Sequence, residues 1–347
     1  MVSRAIKCSS NNKLIPITSL MDIKVEDGYL VLATTDATNY FYVTSNSKVE
    51  CENFELCVIA ELFTRLVQKI TTTDITIIIN GEIVTVKGNG TYTLELPLDE
   101  NGSVIKFPKK FEDEFRPDWG VLKLSTVKKV LNYNKSSLAD NVSIPVLTYY
   151  YCGETVVTSD KAKICETNEM IHEQPYLVSS QVMDILGILS EEEIHVTATD
   201  TDMMFRTSNE ILFAQNSENV NTFPIDTIHN LTQVEFKSKC VLPRLAILDV
   251  LDRLSLFVSS YDKKAVKLTF TNEGMMISSR KSSGVELIPY VSVTDFAEYT
   301  CNIDIKMFEA QVMTQVEDNI ELHFGNDVAI KIVSNDVTEI IALMEGE

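Results

Sequence analysis

The acidic pair in Asp200-Thr-Asp202 comes nearest to a metal site in this chain, since carboxylates at that spacing can share a hard cation. Its setting favours another role. It falls between two strand-like runs, residues 193–199 and 203–207, where Asp is a common turn former, so a hairpin turn accounts for it better. His172, His195, His229 and His323 are dispersed, without metal-ligand or triad spacing. No glycine-rich phosphate loop occurs. Cys8, Cys51, Cys57, Cys152, Cys165, Cys240 and Cys301 form no C-x-x-C pair and read as buried or free thiols of a reducing compartment. Asn141-Val-Ser143 fits a glycosylation acceptor only in a secreted chain, and residues 1–10 lack the apolar core of a signal peptide. No apolar run approaches a membrane span, so the expected location is cytoplasmic. With no convergent acids, bases or metal ligands, a hydrolase or nuclease is disfavoured, and no catalytic residue, metal or cofactor is expected.

The elements that would carry any site repeat three times. A strand, a tight turn and a second strand recur near Asp36, Asp160 and Arg280. A helix running into a polar hairpin recurs before Asp74, Glu193 and Asn319. The period is about 120 residues, domain-sized and far above that of solenoid repeats. The thirds run 1–118, 119–233 and 234–347. Helical stripes are expected over 57–70, from Ser125 (a possible cap) to Leu138, over 179–189, over 241–258 with Pro243 in the first turn, and over 303–316. Strands are expected over 14–25, 144–152 and 339–344, and residues 107–119 read as a linking strap. The first third lacks its opening helix, although residues 4–9 could be the tail of one. Helices segregated to one face of antiparallel sheets make an α+β fold.

The 347 residues suit two or three cores, and 45% apolar with 23% charged residues excludes wholesale disorder. A formal charge of −20 argues against an outer surface that binds nucleic acid indiscriminately, while leaving room for a basic strip facing inward.

At this point the ordered landmarks resemble a family. Leu14-Ile-Pro-Ile followed by Leu30 to Asp36, Pro145-Val-Leu147 followed by Val157-Thr-Ser-Asp160, and Asp304-Ile-Lys-Met-Phe308 followed by Ile340 to Met344 are similar to the bacterial DNA polymerase III β subunit, the processivity sliding clamp. Each string is short, but the set spans essentially the whole chain. The resemblance implies three clamp domains per chain and a head-to-tail homodimer closed into a ring. Helices would line the hole, and sheets would form the outside. It implies a non-enzymatic tether on double-stranded DNA that serves the replicative DNA polymerase, a clamp loader and other proteins carrying a clamp-binding motif. Phosphate contacts independent of sequence suit such a tether.

The resemblance also points to residues. Arg65, Lys69, Lys128, Lys129, Lys135 and Arg244 would face DNA, with Asp249 and Asp252 offsetting the third domain's charge. Leu147, Ser159, Lys161, Ala162, Lys163, Ile164, Leu231, Ile340, Ile341, Ala342, Leu343 and Met344 would wall an apolar pocket for partner peptides. Tyr92, Leu94, Phe257 and Val258 would form the dimer seam. The chain departs from the family pattern at its Ala-Leu-Met-Glu-Gly-Glu347 ending and at Lys161-Ala-Lys163. These departures, the patchy basic strip and the short first helix motivate an alternative: a divergent clamp-fold scaffold that binds peptides without encircling DNA.

Overall fold

The computed structural model describes residues 1–12, 14–110, 119–140, 143–215, 219–258, 264–279 and 283–344. Strap residues 111–118 with the boundary at 118, Asn141 of the sequon, Arg280 and the closing Glu345-Gly-Glu347 lie outside them.

The chain opens with α1 (Val2–Ala5) and a 3-10 turn, Ile6–Cys8, where the sequence suggests the tail of a helix. Next come β1 (Leu20–Glu26), β2 (Tyr29–Thr35), β3 (Tyr40–Lys48) and β4 (Phe54–Ile59), which continues into α2 (Ala60–Lys69). A meander of β5 (Thr76–Asn80), β6 (Ile83–Lys87) and β7 (Thr91–Glu95) precedes β8 (Gly120–Lys123), which continues into α3 (Leu124–Asn134). Then follow β9 (Tyr149–Cys152), β10 (Val156–Ser159), β11 (Lys163–Thr167) and β12 (Tyr176–Ser179), continuing into α4 (Ser180–Leu186). The hairpin of β13 (Glu193–Ala198) and β14 (Asp202–Arg206) leads to β15 (Glu210–Gln215) and α5 (Ile225–Thr232). β16 (Ser238–Pro243) continues into α6 (Arg244–Ser255), followed by β17 (Ala265–Phe270), β18 (Gly274–Ser279), β19 (Val285–Pro289) and β20 (Ser292–Thr294). β21 (Tyr299–Asp304) continues into α7 (Ile305–Thr314), and β22 (Asn319–Phe324), β23 (Ala329–Ser334) and β24 (Val337–Ala342) complete the order.

Five helices thus begin where a strand ends, with no loop between. The expected helices over 57–70, 241–258 and 303–316 each absorb such a strand, and the structure corrects their starts to Ala60, Arg244 and Ile305. Cys57, Leu242 and Ile303 are buried strand residues whose apolar character merges with the helical stripe. Pro243 is the N-cap of α6 rather than a first-turn residue. Ser125 does not act as a cap. Its amide and hydroxyl both donate to Glu192, at 3.2 and 2.6 Å, so an acidic side chain from another segment serves that end. At α7 the Asp304 carboxylate accepts from the amides of Lys306 and Met307, at 2.8 and 3.2 Å.

The repeat is visible in backbone detail. The expected strands over 14–25 and 144–152 each open with a 3-10 turn, Pro16–Ser19 and Pro145–Thr148. Their N-caps Ile15 and Ile144 share φ/ψ, −129/82° and −130/83°. The turns after β2 and β10 also match. The carboxylate of Asp36 accepts from the Thr38 and Asn39 amides, as Asp160 does from Ala162 and Lys163. Thr35 and Ser159 hydroxyls donate to the Asn39 and Lys163 carbonyls. Ala37 and Lys161 both adopt positive φ, 86° and 80°.

Contacts divide the chain into two compact units, residues 1–127 with 181–217, and 128–180 with 218–347. The first holds an eight-stranded sheet, β4-β1-β2-β3-β15-β14-β13-β8, and the small sheet β5-β6-β7. Strands β3 and β15 join early and middle sequence in one ladder, Phe41 opposite Leu212. In the same unit Glu210, fully buried on β15, accepts from Arg4 Nη1 at 2.5 Å and from the Ser190 amide and hydroxyl at 2.9 and 2.7 Å. The strap residue Phe107 meets Tyr40 and Tyr42 edge-on, at 6.2 and 6.4 Å.

The second unit holds a nine-stranded sheet, β12-β9-β10-β11-β24-β23-β22-β16-β20, and a four-stranded one, β19-β18-β17-β21. Its largest core joins Ile247 and Leu251 of α6, Phe308 and Val312 of α7, and Phe270 stacked on Phe324 with ring centroids 3.8 Å apart. All the described pairings are antiparallel, and the helices pack on the sheets, so the fold is α+β.

Candidate functional site

The residues expected to wall a partner pocket lie on or beside one sheet of the second unit. Leu147, from the 3-10 turn before β9, meets Ile164 of β11 and Ile340 of β24 in an apolar cluster with Val157, Leu177 and Phe223. β11 and β24 pair directly, Ile164 opposite Ile340 and Lys163 opposite Ile341. Strand periodicity divides the expected wall: Ile340 faces this cluster, while Ile341 points into the larger α6–α7 core, against which Leu343 also packs. Ser159 and Ala162 belong to the turn that crosses the end of this ladder, and the Ala342 amide donates to the Ala162 carbonyl at 2.8 Å. Amides of Leu343 and Met344 donate to Val328 and Asn302 carbonyls, at 2.8 and 2.9 Å, so the strand edge stays fixed through Met344. Lys161 is exposed at the turn's tip. Lys163 is drawn away, its ammonium donating to the Ser136 carbonyl and lying 3.4 Å from Asp160.

Leu231 projects from α5, an element absent from the sequence reading, which carried the second third on to residue 233 without a helix there. Ile228 of α5 and Phe223, stacked on Tyr151 at 5.1 Å, line the cluster and were missed with it. The signal was the pair Ile225 and Ile228 at helical spacing behind Pro224, a residue suited to a helix start.

The residues expected at a dimer seam lie on or beside two edge strands. In the first unit β7 pairs only with β6, and Tyr92 on it is 38% exposed. A groove of 320 Å³ beside it is lined by Ile59, Leu62, Thr93, Leu94 and Glu95. In the second unit β19 pairs, among the described residues, with β18 alone and exposes Val285 and Leu287. Phe257 follows α6 and lies against the start of β19, within 3.3 Å of where a Gly284 side chain would begin. Val258 is half-buried on the α6–α7 core. β19 and Leu256 were missed because a short apolar run between polar turns gives no sign of being an edge. Gly274, on β18, has no room for a side chain: a Cβ would sit 2.3 Å from the Ile288 carbonyl oxygen. Gly274→Ala is expected to push β19 away at about 1–3 kcal/mol, read as a lower melting temperature and faster hydrogen exchange in residues 285–289.

The basic residues are not equivalent. Arg65 and Lys69 are exposed on α2, and Arg65 pairs with Glu61 at 2.6 Å. Lys128 and Lys135 are exposed in the second unit. Lys129 is held by both Glu169 and Asp336 at 2.8 Å; burial opposes its charge, but these bonds keep its ammonium above the ordinary lysine range. Arg244 is half-buried and its Nε has no hydrogen-bond partner among the described residues. On the same helix Arg253 is engaged by Glu286 at 2.9 and 2.6 Å, and on α7 Lys306 is engaged by Glu309 at 2.7 Å.

Asp200-Thr-Asp202 forms a hairpin turn closed by the Thr199 amide on the Asp202 carbonyl at 2.8 Å, and Asp202 takes Lys110 as its ion-pair partner at 3.2 Å. Among the described residues no three His, Cys, Asp or Glu side chains gather to hold a metal, and no helix is long and apolar enough to cross a membrane. All seven cysteines are free, and only Cys51 is exposed. Burial pushes the Cys57, Cys240 and Cys301 thiols up to about 12.

Residues 1–103 match the family model for the DNA polymerase III beta subunit, N-terminal domain. The whole chain superposes on solved structures of that kind. The DNA polymerase sliding clamp of Bacillus subtilis matches with a TM-score of 0.86 at 16% identity, covering 100% of this chain and 96% of that one. The fold is that of DNA polymerase III beta sliding clamps, and the first 103 residues are similar in sequence to the N-terminal domain of that family. The Thermotoga maritima beta subunit gives a TM-score of 0.84 at 17% identity, covering 100% of this chain and 96% of that one. The Pseudomonas aeruginosa clamp, solved bound to griselimycin, gives 0.82 at 13% identity, covering 99% and 96%. No curated protein sequence matches the chain significantly. The clamp fold therefore persists here on a largely rewritten sequence.

Proposed function

We propose that this chain is a DNA sliding clamp: a non-enzymatic tether that pairs with a second copy, encircles duplex DNA without reading its sequence, and holds the replicative polymerase on its template. The observation that carries this is the clamp fold over essentially the whole chain, with β7 and β19 left as open edges. An unpaired apolar edge needs a partner or a guard, and among the edge strands of the four sheets β7 and β19 are those beside the expected seam residues, one in each unit, which suits head-to-tail closure. Three successive clamp domains, 1–118, 119–233 and 234–347, form each half of the ring in this reading. A closed ring stays on DNA by topology, so weak phosphate contacts suffice and a charge of −20 is tolerable.

The apolar cluster around Leu147, Ile164 and Ile340 is the docking groove for short peptides of the polymerase, the clamp loader and other clamp-binding proteins, with apolar anchors dominating the affinity. The Pseudomonas clamp was solved bound to griselimycin, so that compound is a ready probe to test for competition with such peptides here. Buried free thiols suit the cytoplasm, where the replication machinery works.

Loader-dependent retention on nicked circular DNA, followed by release when the circle is cut, is the expected result. No retention at all would favour the scaffold reading, for which the engagement of Arg253 and Lys306 by acidic neighbours is the specific motive. Within the clamp reading, Lys128→Ala is expected to lower the slope of log affinity against log salt by about 1, and Lys129→Ala by clearly less. The difference arises because Lys129 already neutralises two carboxylates. Equal slopes for the two variants would count against it.

A further inference from the structure

We propose that Glu339 carries a proton in the folded chain and, through it, clasps the groove strand β24 to the end of α7. The functional weight of this clasp rests on the reading of the groove as the partner site; its physical basis does not.

Glu339 lies in the middle of β24, opposite Cys165 on β11 and Ile332 on β23, and is 0% exposed. One carboxyl oxygen accepts from Gln315 Nε2 at 2.7 Å and the other lies 3.0 Å from Thr314 Oγ1, both at the end of α7; the single Thr314 hydroxyl hydrogen is also drawn to the Gln311 carbonyl at 2.7 Å. Among the described residues no cation touches it. Lys163 exerts an attraction from β11, but its ammonium is bound to the Ser136 carbonyl and to Asp160. From α3 the neighbouring titratable group is Tyr133, itself influenced by Lys129 and Glu317. From β11 it is Cys165, whose thiol burial pushes well above its usual range.

The same buried cluster has more acceptors than donors. The amide oxygens of Gln311 and Gln315 are buried with no donor among the described residues, although their amide nitrogens are used. A proton on Glu339 can donate to Thr314 Oγ1, whose own hydrogen is drawn to the Gln311 carbonyl, so the contact between β24 and α7 gains a hydrogen of its own. An ionised carboxylate there would be stripped of water with only two neutral hydrogen bonds in return. Burial accordingly pushes the Glu339 carboxyl up to about 8, against the bonds from Thr314 and Gln315 and the pull of Lys163.

The next residue, Ile340, is part of the groove cluster, and Ile341 enters the core behind it. Loss of the proton therefore loosens a wall of the groove. The sign follows from a folded value raised above the unfolded one. The stabilisation is complete below the ordinary carboxylate value of 4.5 and is lost as pH rises through about 8.

The test uses the full chain labelled with 13C-glutamate. One carboxyl resonance should titrate near 8, far from the others, and vanish in Glu339→Gln. Hydrogen exchange of residues 337–342, corrected for intrinsic rates, should lose up to about a hundredfold in protection between about pH 6 and about pH 9 in the wild type, and stay constant in the glutamine variant. A wild type with no glutamate titrating above the ordinary range overturns the proposal, and this measurement decides even where the variant fails to fold. A variant that loses protection in step with the wild type overturns it as well. Failure of the clamp reading would show instead as no retention on circular DNA with this titration intact.

Discussion

Phe257→Asp is expected to give a folded monomer that no longer stays on circular DNA. In the single chain Phe257 is 52% exposed and Leu256 82%, beside the open edge of β19 with its exposed Val285 and Leu287. Across the proposed seam this patch would meet the β7 edge, with Tyr92 and the groove formed by Ile59, Leu62 and Leu94. Burying a phenylalanine contributes about 1.5–3 kcal/mol, and a carboxylate in its place must be desolvated without a partner. The combined loss of about 4 kcal/mol or more weakens each seam on the order of a thousandfold. Folding should hardly change, because the side chain is open to solvent before pairing, and such surface changes fall within about 0.5 kcal/mol. Light scattering at micromolar concentration, together with a melting curve, checks both halves. A persistent dimer would remove Phe257 from the seam.

Arg4→Ala should destabilise the first unit by about 3 kcal/mol, the low end for breaking a buried ion pair, since 32% of the Arg4 side chain remains in water. The Glu210 carboxylate would stay fully buried with only the Ser190 amide and hydroxyl and a longer Thr207 contact to hold it. Glu210→Gln in the Arg4→Ala background should recover most of the loss, because the amide carries no charge to desolvate. Urea unfolding of the single and double variants measures this coupling; additive effects would refute it.

The repeat, the α+β class and the hairpins were legible because they rest on local signals: turn residues at fixed offsets and alternation of apolar residues. The helix starts at Ala60, Arg244 and Ile305 were not, because strand and helix follow one another without a turn and the apolar run is continuous through the join. The gathering of the residues expected to wall a pocket was legible in part. Leu147, Ile164 and Ile340 came together as expected, while Ile341 went to the opposite face, a distinction of one residue that needs the strand's register. Phe223 and Ile228 were hidden by a proline that looked like punctuation. Among the basic residues, sequence gives position but not pairing, and Lys129 engages Glu169 and Asp336, 40 and 207 positions away.

The ladder between β3 and β15 has a bearing on how such a gene can be cut and rejoined. A deletion or exchange made at the repeat boundaries would slice an eight-stranded sheet down the middle and leave two raw, sticky margins on the halves. Chimaeras of this chain should tolerate transplants only when residues 1–127 travel together with 181–217, so that heritable modularity follows the folded body rather than the sequence repeat.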